Sequence, residues 1–152
     1  MQNAGIKLIG PGDITDDDGL NEMGDSTLGI TTSFQYSAAH PSAINKAFVE
    51  GFKHVSGGLR PDQVAVSVYD GMHLIYEALK TTAGDPSGEA IIAAMKGMAW
   101  ESPRGPISID PRTRDIVQNV YIRKVQKVDG EPWAIEFETF PAVKDPLKEA
   151  AN

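Results

Sequence analysis

The 152-residue sequence contains no cysteine, which excludes a disulfide framework and any thiolate metal centre. No apolar run reaches membrane-spanning length, and the start, MQNAGIKLIG, lacks the charged, apolar and small-residue regions of a secretion signal. Basic residues are few: 14 against 21 acids, for a formal net charge of −7. Neither Lys nor Arg forms a patch, so nucleic acid and anionic membrane surfaces are excluded as natural partners. What is present is ordinary for a soluble globule. Hydrophobic residues make up 41% and charged residues 23%, enough to build a core, and the length fits one domain. The chain opens abruptly on a strand-like segment, which predicts a piece of a longer protein.

The pattern changes along the chain. Ile6–Ile9 reads as a short buried strand, ended by the turn residues Gly10-Pro11-Gly12. Asp16 to Gly24 fits a short helix capped by Asp16 or Asp17, with Leu20 and Met23 on one face. Thr27 to Tyr36 is rich in β-branched and aromatic residues and predicts a strand. Three helices follow. Ile44, Phe48, Phe52 and Val55 form the first stripe, stopped by Gly57-Gly58. Ala65, Val68, Met72, Ile75 and Leu79 form the second, over about 62–82, and Asp85-Pro86 starts the third, with Ile91, Ile92, Met95 and Met98 inward. After Pro103 the period becomes two. Ile107 and Ile109, then Val120 to Arg123, then Trp133 to Glu138 alternate as strands, with turns at Asp110-Pro111-Arg112 and Asp129-Gly130. The tail from Pro141 reads as a polar loop with a short helical end. The order β-α-β, three helices and a β-meander predicts an α/β fold with an antiparallel addition.

The acid- and glycine-rich stretch IGPGDITDDDGLNEMGD, residues 9 to 25, is the first place to look for chemistry. As a calcium loop it fails: with Gly19 at the sixth position, the first falls on Ile14, whose side chain offers no oxygen. As a dinucleotide fingerprint it fails at the third glycine position, which is Thr15. Asp16, Asp17 and Asp18 read as the solvated start of a helix, where acids offset the helix dipole. Asp13 has two readings. It sits just past the carboxyl end of a strand, where ligands of open α/β sheets bind, beside Gly12, which permits close backbone approach; otherwise it is surface. His40, His54 and His73 have no ligand spacing, so no metal site is expected. No serine has a nucleophile setting. Arg104, Arg112, Arg114 and Arg123 read as surface partners of nearby acids, and Tyr69 as helix packing.

The segments KLIGPGD, LGITTSFQYS, NKAFVEGFK, VYDGMHLIYEAL and GPISIDPRTRD, in that order, resemble the C-terminal part of the substrate-binding proteins of bacterial ABC transporters of the branched-chain amino-acid (Leu/Ile/Val) type. Within that family the branch associated with aromatic acids is the most similar. The resemblance implies a type I periplasmic-binding-protein-like α/β fold with two Rossmann-like lobes, of which this chain is a fragment holding parts of both, plus an antiparallel C-terminal meander. Residues 1–35 map to the end of the second lobe, 36–121 to the mostly helical return through the first, and 122–152 to the final second-lobe strands and tail. Gln35, Tyr36 and Ser37 map to one hinge crossing, Tyr121 and Ile122 to another.

By the same resemblance the function is capture of a small amino acid or aromatic carboxylic acid by lobe closure and delivery to an ABC permease, without catalysis and without a cofactor. Asp13, with Gly12, Ile14 and Tyr36, is the expected ligand wall. The intact protein is expected in the periplasm, and the fragment is expected to form homo-oligomers through its uncovered edges. The rival is a free-standing acidic metal-binding or enzymatic domain built on Asp13–Asp18.

Overall fold

The structure is a computed structural model and describes residues 5–149; the outermost ends of the spans assigned above, at 1–4 and 150–152, lie outside the described residues. The elements run β1 (Ile9–Pro11), α1 (Leu20–Met23), β2 (Thr31–Phe34), α2 (Ala43–Ser56), α3 (Gln63–Thr81), α4 (Gly88–Met95), β3 (Ala99–Ser102), β4 (Gly105–Ile109), β5 (Ile116–Val128), β6 (Glu131–Val143) and α5 (Pro146–Glu149). Single 3-10 turns at Gly12–Thr15 and Gly24–Thr27 flank α1. The result is a mixed α/β fold around one six-stranded open sheet.

The long strand β5 organises that sheet. One edge pairs with β6 along almost its whole length. Its other edge is shared in series: β4 pairs with the first part, Ile107 to Gln118 through Ile109 to Ile116. Then β2 takes over, from Phe34 opposite Tyr121 to Thr31 opposite Lys124. The changeover falls between Gln118 and Tyr121, where the β5–β6 register also slips, a bulge that increases local twist. β1 adds in parallel outside β2, and β3 antiparallel outside β4. The β5–β6 hairpin closes on Asp129-Gly130, both at positive φ (51° and 88°), as a two-residue turn matched to strand twist requires.

Local chemistry explains the helix ends. Ser42 and Asp62 each accept a hydrogen bond from a first-turn amide, Asn45 N at 3.0 Å and Ala65 N at 2.7 Å, the usual satisfaction of orphan donors. Gly57, left-handed at φ 74°, ends α2.

The core forms two clusters. Tyr36, Ala38, Val49 and Val66 form one, with Phe48 and Trp133 against it; Leu20, Val125 and Ala134 form the other, with Leu28 and Ile30. Arg60 stacks 3.4 Å above the Trp133 ring and donates to the Pro132 carbonyl, tying the α2–α3 connection to β6.

Several expectations need correction. The first strand is β1, three residues later than read, and it is an edge strand whose Ile9 is 80% exposed. Gly10-Pro11 lies in that strand rather than in a turn. The strand read over Thr27–Tyr36 shrinks to Thr31–Phe34, and the helix expected from Asp16 starts only at Leu20. Ala99–Ser102 forms a strand that was not anticipated, and β6 continues through Pro141 to Val143. The apolar stripes of α2 and α3 are not the buried ones. Asn45 and Val49 are buried on α2, and Val66, Asp70 and Ala78 on α3. Ile44, Val55, Val68, Met72 and Ile75 are exposed. Phe48 of the first stripe packs against the core, and Phe52, Ala65 and Leu79 are half-buried, so each apolar face is covered only in part.

Candidate functional site

β1 delivers the chain into the 3-10 turn Gly12–Thr15, whose two ends are buried and whose middle faces outward. Gly12 and Thr15 are buried; Asp13 and Ile14 face outward. Gly12 has no room for a side chain, since a Cβ there would lie 1.9 Å from Cγ of Phe34. The Asp13 side chain makes no hydrogen bond or ion pair with any other described residue, leaving a carboxylate available at the carboxyl end of a strand.

Beneath this turn lies a buried polar knot that sequence reading missed. Arg123, on the inward face of β5 between Tyr121 and Val125, is fully buried. Its Nη1 donates to the Tyr36 carbonyl at 2.6 Å. Its Nη2 faces the Gly12 carbonyl at 3.2 Å, Thr32 Oγ1 at 3.3 Å and Thr15 Oγ1 at 3.4 Å. The guanidinium lies 4.8 Å from the Phe34 ring centre. Asp17 is also buried; its Oδ2 accepts from Ala38 N at 2.9 Å and sits 3.9 Å from Arg123 Nη1. These placements correct two readings: Arg123 is not a surface cation, and Asp17 does not belong to a solvated helix start.

Burial sets the electrostatics. Desolvation pushes the Asp17 carboxyl up to about 7, against the Ala38 amide and Arg123, which pull it down. Asp16, half-buried near the Gln63 amide at the start of α3, is raised too, again first by desolvation. Arg123 is lowered by its own burial and held up by Asp17, Asp16, Glu136 and Asp13.

Tyr36 follows β2 in non-helical chain and is fully buried. Its ring packs edge-on to Phe48, and its hydroxyl donates to Asn45 Oδ1 at 3.0 Å. Asn45 Nδ2 donates to the carbonyls of Ala38 and His40, fastening the stretch that follows Gln35–Ser37 to α2. Tyr36 therefore meets Gly12 through its backbone, both carbonyls sharing Arg123, while its ring belongs to the core.

Tyr121 stands opposite Phe34 at the changeover in β5. Its hydroxyl donates to the Arg104 carbonyl at 2.7 Å, and His40 lies against its ring. His40 Nδ1 is 2.8 Å from Glu136 Oε2. Arg104, also read as a surface cation, is buried: its Nε donates to Asp70 at 2.8 Å and its Nη1 to Gln118 at 3.0 Å. One signal for both arginines was legible in principle: each occupies an inward position between apolar or small neighbours. Their partners are too distant in sequence to be anticipated.

Depressions of about 380, 510 and 360 Å³ lie beside Ile6–Leu8, between α2 and α3, and around Ile9 and Phe137. Residues 12–14 line none of these three. Among the described residues no group of three or more His, Asp or Glu side chains is placed to hold a metal. The Asp13–Asp18 stretch is likewise split between outward and buried acids, which removes the convergent donor set that the rival metal-binding reading needs.

A model of the family described as "Periplasmic binding protein" matches residues 1–131. Leu/Ile/Val-binding protein homolog 6 of Brucella abortus (strain 2308) is 41% identical over 150 residues, covering 96% of this chain and 38% of the relative. A solute binding protein of an ABC transporter from Rhodopseudomonas palustris BisB5, solved in complex with 3,4-dihydroxybenzoic acid, is 66% identical with a TM-score of 0.92, over 95% of this chain and 40% of that one. A second, from R. palustris HaA2 in complex with p-hydroxybenzoic acid, is 42% identical with a TM-score of 0.84, over 93% and 39%. The chain thus spans about two-fifths of the length of these relatives.

Proposed function

Because the chain belongs to the periplasmic binding protein family, we propose that it forms part of the periplasmic solute-binding component of an ABC importer that captures a small hydroxylated aromatic acid. The observation that carries the ligand class is the 66% identity and 0.92 TM-score to a solute binding protein in complex with 3,4-dihydroxybenzoic acid. The role is binding and delivery to a permease, without catalysis. A second reading, a branched-chain amino acid, is favoured by the name of the 41% identical relative.

In this reading the residues up to Phe34, and those from Ile122 onward, belong to one lobe, and 36–121 to the other. The support is the way β5 exchanges β4 for β2 between Gln118 and Tyr121, with Phe34 paired to Tyr121 at the same level. Gln35, Tyr36, Ser37, Tyr121 and Ile122 are then the crossings about which the lobes close on ligand.

Gly12, Asp13 and Ile14 form the ligand-facing wall, and Tyr36 anchors it from the crossing. A carboxylate at Asp13 accepts a hydrogen bond from a phenolic hydroxyl or from an ammonium, so it selects for a donor on the ligand. Such a charge-assisted bond contributes about 1.5–3 kcal/mol, or about one to two decades of affinity. Calorimetric titration of the longer protein containing this chain tests the proposal. 3,4-dihydroxybenzoate should bind, Asp13→Asn should weaken it about 10- to 100-fold, and benzoate, which lacks the hydroxyls, should be little affected. Binding of leucine in preference to every aromatic acid would replace the first ligand class by the second. Unchanged affinity in Asp13→Asn would remove Asp13 from the site.

A further inference from the structure

The geometry points to Arg123 as a positioning residue for the ligand loop: its single guanidinium holds the Gly12 and Tyr36 carbonyls together and so fixes where Asp13 stands. This inference rests on the reading of Gly12–Ile14 as the ligand-facing wall.

A fully buried arginine is a poor choice for packing alone. Removing a cation from water costs several kcal/mol before any partner repays it, and an aliphatic residue would fill the same volume. What a guanidinium adds is direction, because its N–H groups leave a rigid plane in fixed orientations. Arg123 spends them on three separate segments. Nη2 faces Gly12 O and Thr15 Oγ1, at the two ends of the 3-10 turn, and Thr32 Oγ1 on β2. Nη1 holds Tyr36 O in the stretch leaving β2.

Asp17 repeats the connection from the other side, two residues beyond the turn, by accepting from Ala38 N while lying 3.9 Å from Arg123. Thr15 and Thr32 also bond each other at 3.1 Å, closing the ring of contacts. The turn is gripped from below at its first and last residues, while Asp13 and Ile14 between them face outward. Arg123 itself lies two residues past Tyr121, on the strand that runs on from the changeover. A shift of β5 there moves the anchor of the ligand loop, which couples the position of Asp13 to the crossing. Displacement of a binding group by about 1 Å is enough to cost substantial affinity.

Lysine at 123 keeps the charge but replaces the rigid two-nitrogen fork by a single ammonium, which cannot reproduce all of its fixed directions at once. The test titrates 3,4-dihydroxybenzoate and benzoate into the longer protein carrying Arg123→Lys, Asp13→Asn, or both, with circular dichroism to establish folding. Arg123→Lys should weaken 3,4-dihydroxybenzoate by about tenfold, the worth of one hydrogen bond to a charged group. It should leave benzoate within about twofold, and add little in the Asp13→Asn background, where there is no carboxylate left to position. An equal loss in both backgrounds, an equal loss for both ligands, or no loss would overturn the inference.

If Asp13→Asn itself changes nothing, the site reading falls and this inference falls with it, a result distinct from an active Asp13 with an inert Arg123→Lys. Should Arg123→Lys fail to fold, Thr32→Val serves instead, since it removes one acceptor of the guanidinium without unpairing a buried charge. A loss confined to the Asp13 background again supports the role of Arg123, and an additive loss or none overturns it.

Discussion

Replacing Gly12 by alanine probes, with one methyl group, the seat of the turn proposed to face the ligand. The new Cβ would lie 1.9 Å from Cγ, 2.2 Å from Cδ2 and 2.4 Å from Cβ of Phe34. Carbon atoms settle at about 3.5–4.0 Å, so the turn or the ring must move by about 1.5–2 Å. Neither has easy room. Phe34 is paired to Tyr121 in the sheet, and its ring is packed beside the Arg123 guanidinium. Overpacking of this kind typically costs 1–3 kcal/mol, and the depth of the overlap places Gly12→Ala at about 3 kcal/mol. For a chain of this size that lowers the midpoint of thermal unfolding by roughly 6–12 °C. Gly10→Ala is the control two residues away. Its Cβ would meet only the Cδ1 end of Ile14, at 2.6 Å, and Ile14 is exposed enough to swing aside, so the cost should stay below about 0.5 kcal/mol. Phe34→Ala removes the ring but leaves its own Cβ 2.4 Å from the added methyl. It should therefore rescue Gly12→Ala only in part, with a coupling energy of about 1–2 kcal/mol. Urea unfolding of the wild type, the three single variants and the double variant, followed by circular dichroism, measures each quantity. A Gly12→Ala cost equal to that of Gly10→Ala, or strict additivity with Phe34→Ala, would refute the packing argument.

Two further outcomes follow from the structure. The Asp17 carboxyl, pushed up to about 7 in the fold from an ordinary 3.8, binds its proton more tightly folded than unfolded. Its contribution is therefore complete below about pH 4 and is lost as pH rises toward 7, by at most about 4 kcal/mol. Asp17→Asn should flatten that part of the stability profile; an unchanged slope between pH 4 and 7 would refute the assignment. The isolated chain should self-associate through its uncovered faces, where Ile9, Val55, Val64, Val68 and Phe137 are all more than half exposed. Light scattering should give a mass above 16.3 kDa that grows with concentration, and a monodisperse monomer throughout would contradict it.

Much of the local architecture was legible. The stretch read as helix over 62–82 is α3, Gln63–Thr81, because Asp62 provides the cap and no glycine or proline pair interrupts before Thr82. Asp129-Gly130 announced its hairpin because few other pairs accept positive φ twice. Which face of an element is buried was less legible. Periodicity located the stripe Val68, Met72 and Ile75 but could not say that these three are exposed, nor that Asp70, facing Arg104, lies on the buried side. The site divides in the same way. The strand-then-glycine pattern singled out Gly12 and Asp13, which the structure places buried and outward respectively; their role at the ligand is the one proposed above. Asp17 looked like any acid of a solvated run, because the partner that makes it structural is Arg123, on the far side of the chain. Nothing local distinguishes the buried Asp17 from half-buried Asp16 and exposed Asp18 when the burial is supplied by a strand about a hundred residues later.

The most direct test of the central claim is a crystal structure of the longer protein containing this chain, grown with 3,4-dihydroxybenzoate. The account predicts a closed clamp with the ligand against Gly12–Ile14 and a ligand hydroxyl within hydrogen-bonding distance, about 2.5–3.0 Å, of the Asp13 carboxylate. A ligand seated away from this turn, with Asp13 still solvated, would contradict it.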